Sequence, residues 1–583
     1  MSGYDSNNYW QRLAASRVNR RRALGGGAAA TSLMALALAG CGSSNNNGGK
    51  NNNSGSNPPP STATSSGGAT TAAGTPSGSP AAPPTAQSIN AGSPTAAASK
   101  VKTGGTMTFG TSRDVTNLDS GKSQDVYSAW VQAQIVEPLF IGTNDFKIAG
   151  NTIDKVENPD NTTYLFHLHP GIKYQDGTDF NADSVKWNLQ RHIDDKTSVR
   201  TADVKPITAM ESVDANTLKI TVSAPYAPFL SKLTGGAGAM YSQAAFQKLG
   251  ANLPNDLTAA GSGPFKFTNW DHGNQVVLDK NPAYWRKDAN GIQYPYMDKF
   301  VFKNIPDENT RLANLRTGDN DWIDTPPPKD IKSILSNPDL VYKQVPGLSF
   351  SFVMMETEKD PFQDKRVRQA LSYAIDRQTI VDTVYFGTQV VADTEIPGSL
   401  FGSVQGPYLK QDIAKAKDLL KQAGKDTVAF SAQYSNAAPV IQQTFELMKD
   451  QISPAGFNMS LQPIEFATLV DNGNKGAYQA GGLGWSGAVD PDGFCYQLFH
   501  TGAGFNLAHI SDPNLDALMD KGQQTLDVGA RTEIYKQVMQ TLIDLQPFII
   551  YSWGVYQQTT RKNVQNYQIG PSIWPLMHMV WKS

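Results

Sequence analysis

Two periods of apolar positions run through the chain from about residue 100 onward. Thr106-Met107-Thr108-Phe109 alternates polar and apolar side chains, the pattern of a half-buried strand. Tyr164 to His169 alternates in the same way. Pro170-Gly171, Ile172-Lys173-Tyr174 and Asp176-Gly177 follow, a spacing that predicts a hairpin with turn residues where the chain reverses. Asn181 then caps a predicted helix with Val185, Leu189 and His192 on one face. Val367, Ala370, Leu371, Ala374 and Ile375 have helical spacing, as do Ile413, Ala416, Leu419, Leu420 and Ala423 between Asp412 and Gly424. Leu515, Leu518 and Met519 begin another helix, and Ile534, Val538, Leu542 and Leu545 a further one that stops at Pro547. No repeat of solenoid length interrupts this mixture. The pattern predicts α/β or α+β lobes in more than one domain.

The first hundred residues follow neither period. Arg20-Arg21-Arg22 precede an apolar run, Ala23 to Ala39, that ends in Leu38-Ala39-Gly40-Cys41. A cationic start, a short apolar core and small residues before a cleavage point predict a secretory signal over 1–40. The run is too short and too rich in glycine for a permanent span. Leu-Ala-Gly-Cys resembles the bacterial lipobox, which implies cleavage before Cys41 and its acylation. Asn19 to Leu24 also resembles the twin-arginine export signal, with Ala23 where that signal prefers Phe. Residues 41–100 are almost wholly Gly, Ser, Asn, Thr, Pro and Ala. They bury too little apolar surface to offset their ordering entropy, which predicts a disordered tether.

Charge and cysteine content narrow the possible functions. The chain carries 50 Lys+Arg against 52 Asp+Glu. Its first 40 residues hold five Arg and one Asp, so without them the formal charge falls from −2 to −6. No basic field exists for nucleic acid. With Cys41 assigned to the lipobox, Cys495 is left alone and reads as a buried small hydrophobe. His167 and His169 share a strand face, but no third ligand follows at zinc spacing, so no metal site is expected. There is no G-x-S-x-G; Gly484-Trp485-Ser486-Gly487 has the wrong spacing for a nucleophile elbow. Asp490 and Asp492 share one segment, a poor geometry for an opposed acid and base.

Several ordered stretches together resemble the extracytoplasmic solute-binding proteins of family 5, the oligopeptide, dipeptide and nickel type served by ABC importers. The first is Phe166, Leu168, Gly171, Ile172, Tyr174, Asp176-Gly177-Thr178, Ala182-Asp183 and Val185, with His169 in place of the usual Arg. Gly261-Ser262-Gly263-Pro264-Phe265 and Trp270 follow, then Asn281-Pro282-Ala283-Tyr284-Trp285 and the stretch Arg311 to Gly318 with Asp321. Arg366 to Arg377 matches R-V-R-Q-A-L-x-Y-A-I-D-R, and Asp412 to Gly424 a further motif. The resemblance runs from about Gly104 to Tyr556.

It implies an α/β, two-lobed periplasmic-binding-protein-like fold of type II, with the ligand cleft between the lobes. The first lobe is expected at 101–347 with a subdomain inserted near 143–262, the second at 348–554, and a return to the first at 555–583. Crossings are expected near Pro346-Gly347 and Ser552-Trp553-Gly554. In peptide-binding relatives an Asp three residues after the Trp matching Trp485 pairs with the ligand ammonium. Here that position is Ala488, and Asp490 is the nearest substitute. Trp485, Ser486 and Gly487 are further expected ligand contacts, as are Tyr127, Trp130, Tyr241, Phe350 and Phe352, which are equally at home in a core.

The expectation is therefore capture without catalysis or cofactor. A monomeric lipoprotein, anchored to the cell membrane through Cys41, would bind a peptide-like small solute and deliver it to ABC permease subunits. The alternatives are a non-peptide solute (oligosaccharide, opine or metal chelate), a ligand sensor, and an exported hydrolase.

Overall fold

The computed structural model describes residues 101–583, apart from 124, 437–438, 488, 571–574 and 576. The export segment, the tether and Cys41 lie outside the described residues, as does Ala488. Strand β1 (Thr106–Thr111) forms where the alternation predicts it, with Met107 and Phe109 fully buried. Helix α1 (Val126–Ile135) opens on Asp125, whose carboxylate accepts the Ser128 N–H. A small hairpin follows, β2 (Phe140–Gly142) with β3 (Ile148–Gly150).

Strands β4 (Ile153–Glu157), β5 (Thr163–Leu168), β6 (Ile207–Asp214) and β7 (Thr217–Val222) make a separate antiparallel sheet in the order β4-β5-β7-β6. Helix α2 (Ala182–Asp194) begins at a capping box between Asn181 and Ser184 and buries Val185, Leu189 and His192. Of the predicted hairpin, the reversal at Asp176-Gly177 forms, with Lys173 bridged to Asp179, but 172–174 do not pair back on 164–168. β5 pairs instead with β4 and with the distant β7, while the Tyr174 N–H turns back to the Thr178 carbonyl. Alternation marked the buried face of β5 but not which strand would lie beside it. A short helix, α3 (Phe229–Lys232), continues this subdomain.

The chain then enters a large sheet through β8 (Phe265–Asp271), β9 (Gln275–Lys280), β10 (Lys299–Asn304) and β11 (Trp322–Asp324). β1 lies between β10 and β11 and is parallel to both. Next come β12 (Leu340–Met355), helices α4 (Lys365–Tyr373) and α5 (Arg377–Val384), β13 (Val390–Val391) and α6 (Ile413–Gln422). The predicted helical face from Val367 to Ile375 is buried throughout, but α4 stops at Tyr373 because Asp376 caps a new helix. β14 (Val428–Ser435), β15 (Phe457–Ile464), β16 (Ala480–Ser486), helices α7 (Asp492–Phe499), α8 (Pro513–Gln524) and α9 (Val528–Leu545), and β17 (Phe548–Arg561) complete the lobes. α9 ends with Gln546 at φ 47° before Pro547.

The strand order is β15-β14-β16-β12-β17-β11-β1-β10-β9-β8, with β13 beside β17. β12 and β17 are 16 and 14 residues long and run as an antiparallel pair through both lobes. Their ladder breaks between Pro346 and Phe350. There the backbones come so close that a Cβ on Gly347 would lie 2.9 Å from the Gly554 carbonyl, and one on Gly554 would strike Ser349. One core surrounds Phe109, Trp130 and Trp322; the separate sheet has its own; two more fill the faces of the sheet beyond the break.

Candidate ligand cleft

At the edge of the second lobe nearest the break, three neighbouring strands present one aromatic each. Register places Trp485 of β16 opposite Phe350 of β12, and Phe350 opposite Trp553 of β17. The Phe350 and Trp553 rings are 5.1 Å apart, and Phe494 of α7 lies 5.5 Å from Trp553. Trp485 is only half-buried; its indole N–H donates to the Gly493 carbonyl at 2.7 Å and its ring meets Phe505 edge-on. Ser486 is exposed. The Gly487 N–H donates to Leu348, and a side chain there would collide with the Phe494 ring. This row is an apolar ledge with polar backbone at its end, the usual make-up of a small-molecule site.

The first lobe contributes a polar cluster at the carboxyl ends of β1 and β11. In open α/β sheets this is where ligands bind. Ser112 donates to an Asp324 oxygen at 2.8 Å and lies 2.6 Å from the Tyr127 hydroxyl, which itself donates to Asp324 at 3.2 Å. The Arg311 guanidinium is 3.4 Å from the other Asp324 oxygen. Burial raises the Asp324 pKa against the opposing pull of Arg311. Burial also raises the Tyr127 phenol, with Asp324 adding to it. Sequence reasoning named Tyr127 but neither Ser112 nor Asp324. The legible signal was a polar residue directly after each of two buried strand segments.

Three expected wall residues are core residues instead. Trp130 stacks on Phe109 at 5.2 Å, and Phe352 on Phe548 at 4.2 Å. Tyr241 is fully enclosed; its hydroxyl accepts from the Ser120 N–H and donates to the Leu118 carbonyl, leaving nothing for a ligand. Phe350 is also buried, but it belongs to the ledge.

Asp490 is not a free ammonium anchor. Both its oxygens accept from Arg531 at 2.8 and 2.9 Å, and one also accepts the Asp492 N–H. Asp492 is held as well: Gln523 donates to one oxygen at 2.9 Å and Lys232 stands 3.6 Å from the other. Lys232 comes from α3, so this ion pair joins the subdomain to the second lobe. The Ala227 N–H bonds the Gln523 carbonyl at 2.7 Å at the same seam, and Phe146 and Ile148 of the β2–β3 hairpin pack on the second lobe's core.

Cys495 is buried, and its thiol pKa is raised well above the ordinary value by burial and then by nearby carboxylates. His167 bonds Glu157 at 3.1 Å, and His169 lies against Trp285. Among the described residues no group of three His, Cys, Asp or Glu side chains could hold a metal, and no helix is long and apolar enough to cross a membrane.

The model of the bacterial extracellular solute-binding proteins, family 5 (middle), matches residues 147–506. The glutathione-binding protein GsiB of Pectobacterium atrosepticum is 28% identical over 473 residues, covering 78% of this chain and 90% of that one. Among solved structures, the binding protein AgaA from A. tumefaciens R10, in complex with agropinic acid, is 26% identical with a TM-score of 0.70, covering 82% of this chain and 99% of that one. The periplasmic binding protein DppA from Helicobacter pylori, in complex with the peptide STSA, has a TM-score of 0.70 at 23% identity, covering 82% and 98%. With its two lobes sharing one sheet and a ledge at their junction, the chain belongs to family 5 of the bacterial extracellular solute-binding proteins.

Proposed function

We propose that this chain is the capture subunit of an ABC importer and takes a peptide or peptide-like solute between its lobes. The family match over residues 147–506 carries the reading. The aromatic ledge of Trp485 and Trp553 and the polar cluster of Ser112 and Tyr127 support it, because each supplies one wall. Tyr127, Trp485, Ser486 and Gly487, with Ala488 next in sequence, are the proposed contacts. The lobes act as bodies spanning about 101–347 with 555–583, and 348–554. Solute in contact with both favours the closed form by its differential affinity, with no bond made or broken. Acylation of Cys41 after removal of 1–40 holds the monomer at the membrane, and 41–100 serves as its tether. Loss of palmitate labelling in a Cys41→Ser chain tests that anchor.

A thermal-shift screen of glutathione, short peptides, opines, oligosaccharides and metal chelates tests the capture itself. A solute at about 100 times its Kd stabilises by about 2.7 kcal/mol, enough to move the melt measurably. Turnover of any probe, or no shift with any class, overturns the reading. Agropinic acid in AgaA and the uncharged Ala488 favour a second candidate, an opine-like solute, which the same screen separates.

A further inference from the structure

We propose that Glu395 is the acidic anchor of this cleft, receiving an ammonium or guanidinium group of the bound solute at the hinge end of the second lobe. The proposal rests on the capture reading above and names the chemistry of the solute.

Glu395 follows β13, which pairs with Ser552 and Trp553 of β17. The neighbouring Thr394 carbonyl accepts the Trp553 indole N–H at 3.1 Å. Trp553 is the end of the aromatic ledge, and its neighbour Phe494 is the ring that forbids a side chain at Gly487. A short chain of contacts thus links the Thr394 backbone, next to Glu395, to the 485–487 segment. The charge of Glu395 also bears on the Cys495 thiol of α7, as do those of Asp490 and Asp492.

What sets Glu395 apart is that, among the described residues, neither a cation nor a neighbouring side-chain donor is found on it. It is 4% exposed. The other buried acids around the cleft are matched: Asp490 by Arg531, Asp492 by Lys232 and Gln523, Asp324 by Arg311, Glu137 by Tyr284 and Trp285. Among the described residues the only charge found to act on Glu395 is Asp393, another carboxylate. The cations of the surrounding elements are committed. Arg531 is held by Asp490, and Arg377 of α5 donates to the Ser372, Tyr408 and Ile550 carbonyls. Burial then pushes the Glu395 carboxyl up to about 8. A buried acid without a partner is costly to the fold, and such groups concentrate where a ligand supplies the missing charge.

The test uses the mature protein with glutathione, a dipeptide and tripeptide library, and the N-acetylated form of each. Free-amine probes are expected to raise the melting temperature and acetylated ones to leave it unchanged. At pH 7 Glu395 is mostly protonated, so pairing with an ammonium expels on the order of one proton. Calorimetry in two buffers of different ionisation heat reads that proton. Glu395→Gln is expected to melt no lower than wild type when unliganded, to lose at least tenfold in affinity and to lose the proton release. Equal binding of acetylated and free probes, unchanged affinity in Glu395→Gln, or wild-type binding without proton release overturns the proposal. The wild-type measurements stand even if the variant does not fold. A melt shifted only by uncharged oligosaccharides sinks Glu395 as anchor and leaves capture intact; no shift with any class sinks both.

Discussion

Replacing Asp490 with Asn separates a structural carboxylate from a ligand anchor. Asp490 and Arg531 are bonded through two parallel contacts of 2.8 and 2.9 Å, with side chains 7% and 4% exposed. Asn keeps the shape and can still accept the Asp492 N–H, so neither a cavity nor a lost cap contributes. What remains is a guanidinium buried against Phe401 and Tyr535 with no carboxylate bonded to it. Breaking such a pair from one side costs about 3–5 kcal/mol. For a lobe of roughly 200 residues, each kcal/mol moves the melt by about 2–4 °C, giving a fall of about 6–20 °C. Differential scanning calorimetry of the unliganded protein measures it. Adding Arg531→Met removes the stranded cation and is expected to recover most of the loss. If Asp490→Asn melts within about 1 °C of wild type but loses solute affinity, the pairing argument is wrong, and Asp490 is the anchor after all.

Three further outcomes follow from the same charges. Because the folded Glu395 pKa of about 8 lies above its unfolded value of 4.5, its contribution is fully present below pH 4.5 and lost as pH rises through 8. Wild type should therefore lose stability relative to Glu395→Gln by up to about 1.4 kcal/mol per unit in that window, read by denaturant melts at pH 5 and 8; a constant difference would refute it. Lys232→Met leaves Asp492 buried beside Asp490, and a double-mutant cycle with Asp492→Asn should return a coupling of about 1–3 kcal/mol. Cys495 should resist iodoacetamide in the native protein and react on unfolding, since it is both enclosed and held as a thiol.

The fold was legible where local pattern and long-range packing agree. Asn181 and Asp412 open helices because their side chains satisfy backbone N–H groups a few residues away, a local matter. β5 was seen as a strand but misjoined, since Phe166 is opposed by Leu218, some fifty positions on. The cleft was less legible for the same reason. Tyr241 and Trp485 look alike as aromatics, and only Asn188, Ser120 and Leu118 closing on Tyr241 assign it to the core. Asp490 looked available because Arg531 sits in another helix. Glu395 drew no notice at all: what distinguishes it is a partner missing in space, and no spacing of letters records that.

The seam between the subdomain and the second lobe also bears on the size of the cargo. Phe146, Ile148, the Ala227–Gln523 bond and the Lys232–Asp492 pair close one side of the junction with protein alone. A solute can therefore be lengthened only away from that side without prising these contacts apart. For a solute held between the lobes, chain-length tolerance is then expected to be directional: one end meets a fixed wall, and the other is free to vary.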